Sequence, residues 1–253
     1  MKSAVSKTLS LLVFVASPAL ARNFTVVNKC LYTVWPAIYT DPNAGSAVPA
    51  VETGWQAASG SSRSFTMPDT WTAGRIWGRS GCSFSSTGSG TCSTGGCTGG
   101  LKCTGPSSGP TTIAEFALSA SGQDYTDVSL VTGFNIPVQV TNNQGCAMVG
   151  CPVDLIPNCP APLKGPVSST GVTLGCKSAC TANLDGTPAN SKNCCTGQYS
   201  TPATCPASGV QYYSYFKSAC PRSYAFAYDE SSSGALIACP SSKKADYTVT
   251  FCP

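Results

Sequence analysis

The sequence predicts a mainly β chain, a sandwich or barrel with a disulfide-rich annex. Short runs alternate apolar and polar residues with period two, and no run of helical length repeats at 3.6. Turn signals such as Asp41-Pro42-Asn43, Ala58-Ser59-Gly60 and Pro68-Asp69 separate the runs. The 253 residues include sixteen cysteines and no histidine. Eight disulfides are the natural reading, and they require an oxidising compartment.

Each stretch has its own argument. Residues 1–21 read as a signal peptide, with Lys2 and Lys7 ahead of an apolar run from Leu9 to Ala16. That run is too short to span a bilayer, and Ala19-Leu20-Ala21 is a small-residue cleavage site. Cleavage after Ala21 leaves a secreted mature chain of 232 residues that starts at Arg22. This length suits one all-β domain with an annex.

In residues 22–80, Phe24, Val26 and Asn28 alternate with Thr25, Val27 and Lys29, and Leu31, Thr33 and Trp35 keep the period. Residues 59–67, anchored by Phe65, and 74–79, with Ile76 and Trp77, are further strands. Residues 81–109 are dominated by Gly and Ser and carry Cys82, Cys92, Cys97 and Cys103. They cannot bury enough apolar surface to order themselves, so covalent closure must do it. Strands return at 112–118, 125–131 and 136–140. Residues 146–220 hold nine cysteines among many Pro and Gly, and read as a loop-rich lobe with at most short helices. Strands at 224–228, 235–238 and 247–251 close the chain. The expected body is therefore 22–145 with 221–253, and the lobe is 146–220.

Composition excludes several functions. Without the signal, thirteen basic and eleven acidic residues remain, a charge of +2 that is too small and scattered for a nucleic-acid binder. No later stretch is long and apolar enough for a membrane helix. There is no C-x2-C pair and no histidine to complete a zinc site, so neither a metal nor another cofactor is expected. The adjacent Cys194 and Cys195 are strained as partners of each other and point to two separate bridges. The sequon Asn23-Phe24-Thr25 lies beside the new N-terminus. With no imidazole in the chain, any hydrolysis must run on carboxylates.

Two carboxylates stand out. Residues 119–123, Ser-Ala-Ser-Gly-Gln, form a turn candidate, and a turn centred on Ser121 sets Glu115 opposite Asp127. Like charges directly opposite on paired strands are destabilising. Such a pair suits glycoside hydrolysis, because mutual repulsion raises one pKa and leaves one acid and one base. The plainer alternative is that either residue caps a loop or pairs with Arg75 or Arg79. Tyr212, Tyr213, Tyr215 and Phe216 offer faces for stacking on sugar rings, or simply pack the lobe.

Several motifs together resemble the thaumatin-like proteins, the pathogenesis-related group 5 family. They are Phe24-Thr25-Val26-Val27-Asn28-Lys29-Cys30, Gly74-Arg75-Ile76-Trp77-Gly78-Arg79, Thr112-Ile113-Ala114-Glu115-Phe116, Asp127-Val128-Ser129-Leu130 with Gly133-Phe134-Asn135, Cys194-Cys195-Thr196-Gly197 and Tyr247-Thr248-Val249-Thr250-Phe251-Cys252-Pro253. The resemblance implies a flattened antiparallel β-sandwich, a disulfide-rich lobe beside it, and an acidic cleft between them. It implies the pairs Cys30–Cys252, Cys82–Cys92, Cys97–Cys103, Cys146–Cys239, Cys151–Cys220, Cys159–Cys176, Cys180–Cys194 and Cys195–Cys205.

The resemblance places Glu115 and Asp127 in the cleft as catalytic residues. Asp229, Arg75 or Arg79, Thr132, Tyr215 and Phe216 are the expected substrate contacts. Two departures are visible: Gly96 stands where the family usually has Asp before the cysteine, and Thr132 stands at a usual cleft Asp. The implied function is action on β-1,3-glucan of fungal cell walls by a secreted monomer. It is either a weak endo-β-1,3-glucanase or a non-catalytic glucan-binding defence protein.

Overall fold

The computed structural model describes residues 21–45 and 47–253; all but the last residue of the expected signal peptide 1–21 lie outside the described residues. In chain order the strands are β1 (Ala21–Asn28), β2 (Trp35–Thr40), β3 (Ser62–Pro68), β4 (Gly74–Arg79), β5 (Ser83–Phe84), β6 (Gly90–Thr91) and β7 (Ile113–Ala120). They continue with β8 (Gln123–Ser129), β9 (Gly133–Phe134), β10 (Val138–Asn142), β11 (Val149–Cys151), β12 (Cys176–Lys177), β13 (Leu236–Pro240) and β14 (Tyr247–Phe251). One α-helix, α1 (Tyr213–Ala219), lies in the disulfide-rich lobe.

Two five-stranded sheets form the sandwich, in the orders β11-β10-β14-β1-β3 and β13-β8-β7-β4-β2. All the strand pairs in them are antiparallel except β1 with β14. The period-two alternation sets which side chains meet between the sheets. Phe24, Val26, Ile76, Phe116, Val128, Val249 and Phe251 point inward and are buried in one core. Phe24 packs edge-on to Trp71 and Phe116, with ring centroids 5.6 and 5.0 Å away.

Arg22 also points inward from β1, and is only 1% exposed. It donates to both carboxylate oxygens of the buried Asp124, at 2.8 and 3.2 Å, and to Asp69. Asp124 further accepts from the Ser119 amide and the Tyr247 hydroxyl. It is thus a core counter-ion as well as a turn cap.

The lobe has a core of its own, made by Leu130, Phe134, Leu155, Leu163, Phe216 and the buried half-cystines. The eight disulfides join the pairs named above, and no cysteine is free.

Two expected strands are absent. Residues 31–33 bend between β1 and the Val34–Ala57 bridge, with Leu31 96% exposed, and Asn28 holds the bend by donating to the Tyr32 carbonyl and accepting the Cys30 amide. Residues 224–228 make a single parallel bridge, Tyr224 to Ser129, and then run through turns into a 3-10 turn at Asp229–Ser231. Asp229 holds that path by accepting the Ala225 amide.

Candidate functional site

The outward face of the second sheet carries the candidate site. On β4, β7 and β8 the odd-numbered residues point away from the core. At one end this face is roofed by the Gly/Ser-rich loop, because Trp77 donates to the Gly95 carbonyl and Arg79 to those of Gly100 and Leu101. Beyond the roof, the register aligns Tyr39, Arg75, Glu115, Asp127 and Leu236 in one row across five strands. A hollow of about 310 Å³ lies over this row and is lined by Arg75, Glu115, Tyr125, Asp127 and Leu236.

Glu115 and Asp127 stand directly opposite each other on β7 and β8. The hairpin between them is irregular: the pairing shifts between Ala117 and Ala120, with left-handed backbone at Ser119, Ser121 and Gly122. The pairs Glu115–Asp127 and Ala117–Tyr125 lie on the near side of that shift and share one register.

The two carboxylates have different surroundings. Glu115 accepts from Arg75 Nε at 2.7 Å, with both side chains about a third exposed, at 30% and 33%. Asp127 has no ion-pair partner among the described residues, and its Oδ1 is buried without a hydrogen bond. Burial, and secondarily the Glu115 charge, hold the Asp127 carboxyl well above the usual carboxylate range, with Arg75 opposing. The arrangement therefore presents a carboxyl with a raised proton affinity beside one that has its own counter-ion.

The other expected contacts divide. Arg75 lies in the row; Arg79, on the same strand face, is fully buried under the roof and does not line the hollow. Asp229 is 1% exposed and accepts from Tyr213 Oη, Lys217 Nζ and the Ala225 amide at 3.0, 2.9 and 2.8 Å, which spends it on holding α1 to the following turn. Thr132 donates its hydroxyl to the Thr111 carbonyl at 3.1 Å. Tyr215 donates to the Leu155 carbonyl, and Phe216 is buried in the lobe core, so that ring offers no face to a sugar.

One residue joins the site without a sequence signal. Tyr224 bridges to Ser129, and its phenol pKa is pushed up by burial and then by the charges of Asp127, Glu230, Asp229 and Glu115. Tyr224 thus lies within electrostatic reach of both carboxylates. Only the tertiary path of residues 220–230 puts it there. Among the described residues, no group of three or more His, Cys, Asp or Glu is placed to hold a metal, and no helix is long and apolar enough to cross a membrane.

Comparison with known proteins agrees with this architecture. The family model described as Thaumatin family matches residues 28–253. The chain is 43% identical over 251 residues to pathogenesis-related thaumatin-like protein 3.5 of Cryptomeria japonica, covering 97% of this chain and 96% of that protein. It is 42% identical over 242 residues to thaumatin-like protein 1 of Arabidopsis thaliana, covering 90% and 85%. Among solved structures, a laminaripentaose-producing β-1,3-glucanase of GH family 64 from Paenibacillus barengoltzii aligns with a TM-score of 0.53 at 13% identity, covering 93% of this chain and 75% of that one. That likeness is one of fold.

Proposed function

Because the chain belongs to the thaumatin family, we propose that it is a secreted, monomeric protein that binds β-1,3-glucan in the hollow over Arg75, Glu115 and Asp127 and hydrolyses it slowly. The observation that carries this reading is the unlike pair of carboxyls: Asp127 is buried without an ion-pair partner among the described residues, which raises its pKa well above the usual carboxylate range, and Glu115 has Arg75 as counter-ion. The substrate class is supported by the occurrence of the fold in a β-1,3-glucanase solved with laminarihexaose, at a TM-score of 0.53.

In the proposed reaction, Asp127 gives its proton to the glycosidic oxygen as the bond to the anomeric carbon breaks. Glu115 attacks that carbon through Oε2 while Arg75 holds Oε1, forming a glycosyl ester. Asp127, now a carboxylate, takes a proton from water, and the water oxygen displaces Glu115. Directly opposite strand residues have Cβ atoms about 4.5–5.5 Å apart. Side chains on such neighbours lie close enough for their carboxyl groups to reach the roughly 5–5.5 Å separation of retaining pairs. Proton NMR of the first product tests this: retention gives the β-anomer first, and an initial α-anomer contradicts the Glu115 nucleophile.

A second reading is glucan binding without turnover. It is favoured by the Arg75–Glu115 ion pair, which engages the nucleophile before any substrate arrives, and by the Thr132 hydroxyl at a usual cleft Asp. Long incubation with soluble β-1,3-glucan separates the two, because only the enzyme releases reducing ends.

A further inference from the structure

Two arginines are almost wholly buried, and they are treated differently. Arg22, 1% exposed, has Asp124 and Asp69 against its guanidinium. Arg79, 0% exposed, has no carboxylate partner among the described residues. Its N–H groups reach four carbonyls: Trp35 at 2.9 Å, Pro36 at 3.2 Å, Gly100 at 2.7 Å and Leu101 at 2.8 Å. The remaining Nη1 donor has only Cys97 Sγ, at 3.6 Å. These dipoles, and the Phe84 ring whose centroid lies 5.4 Å from Arg79 Cζ, ease the burial but bring no negative charge to it. Burial pulls the guanidinium down to about 10, and no neighbouring acid opposes it.

Beside this charge lies a cavity of about 170 Å³, lined by Arg79 together with Thr91, Gly96, Cys97, Gly100 and Ser108. This is room enough for a halide or a small carboxylate, and Cys97, whose Sγ is the only partner of that Nη1 donor among the described residues, lines the same cavity. We propose that this cavity binds a small monovalent anion, which balances Arg79 and fastens the Gly/Ser-rich loop to the sheet. The site is separate from the hollow over Glu115 and Asp127, and it stands whether or not the chain acts on glucan.

The cavity wall also supplies a test. Of its three glycines, Gly90 and Gly100 have left-handed φ and backbone oxygens within 1.9 and 2.3 Å of an added Cβ. Gly96 has no such φ, and the nearest neighbour of its added Cβ is Ser108 Oγ at 3.3 Å, a side-chain atom able to turn aside. Gly96→Asp therefore provides a built-in carboxylate in place of the free anion.

Bromide is the probe. Crystals of the wild-type protein soaked in bromide are expected to show an anomalous peak within hydrogen-bond reach of Arg79 Nη1. In solution, bromide at about ten times its dissociation constant should shift the wild-type unfolding equilibrium about tenfold toward the folded state. Gly96→Asp should respond to bromide only through the general salt effect, and its crystals should lack the peak. An empty cavity in the soaked wild-type crystal overturns the proposal. So does a wild-type bromide dependence no greater than the variant's. Should Gly96→Asp fail to fold, the wild-type crystal decides alone.

Discussion

Glu115 and Asp127 face each other across β7 and β8, yet Glu115 alone of the two has an arginine within hydrogen-bond reach. The asymmetry follows from strand order. Glu115 is flanked by Arg75 on β4, whereas the neighbour of Asp127 on its other side is Leu236 of β13. One carboxyl is thereby compensated and the other is pressed toward its protonated form.

Chemistry and binding should separate under conservative substitution. Glu115→Gln and Asp127→Asn keep shape and remove a proton-transfer or nucleophilic group, so each should lower turnover by about 10²-fold or more. Retention on insoluble β-1,3-glucan in a pull-down should change little. Loss of retention in parallel with turnover would mean that the carboxylates bind rather than react.

Arg75 should set the pH profile. It opposes the raised pKa of Asp127, so Arg75→Ala lifts the Asp127 carboxyl further and moves the activity optimum to higher pH. The ion pair is about a third exposed, and its loss should lower stability by no more than about 1 kcal/mol. With no histidine in the chain, neither limb of the wild-type profile belongs to an imidazole. An optimum that stays in place in Arg75→Ala counts against the coupling.

Asp127 should also make stability depend on pH. Its folded pKa is raised, so above the unfolded value of about 4 the folded chain holds a proton that the unfolded chain has released. Stability contributed by this group therefore falls as pH rises from about 4 through the folded pKa. Asp127→Asn removes that loss, so its stability relative to the wild type should be higher at pH 7 than at pH 4. Chemical denaturation at the two pH values measures it, and a pH-independent difference contradicts the raised pKa.

Much of this was legible from local pattern, and the rest depended on tertiary cover. The Glu115–Asp127 register followed from centring a turn on Ser121, and it survives because the irregular pairing is confined to residues beyond Ala117. Arg75 and Arg79 share a strand face, and only the roof of residues 95–101 separates a site residue from a buried one. Asp229 reads as a cleft acid until Lys217 and Tyr213 are seen to occupy it. Leu31 and Thr33 kept the strand period, but the chain bends there, held by the Asn28 side chain.

The Cys30–Cys252 bridge closes a loop with a sequence separation of 222 and ties the two ends of the body. In the chain-entropy model its removal by Cys30→Ala with Cys252→Ala should lower stability by about 5 kcal/mol, more than removal of the Cys97–Cys103 bridge, with a separation of 6. Equal losses on denaturation would show that local strain, not loop closure, governs these bridges.

The most direct measurement is reducing-end release from soluble β-1,3-glucan by the purified mature protein, with Glu115→Gln run beside it under mildly acidic conditions. The account predicts slow, continuing release by the wild type and none above background by Glu115→Gln. Wild-type protein that binds the glucan but releases no sugar over a long incubation, or equal release by both proteins, would contradict it.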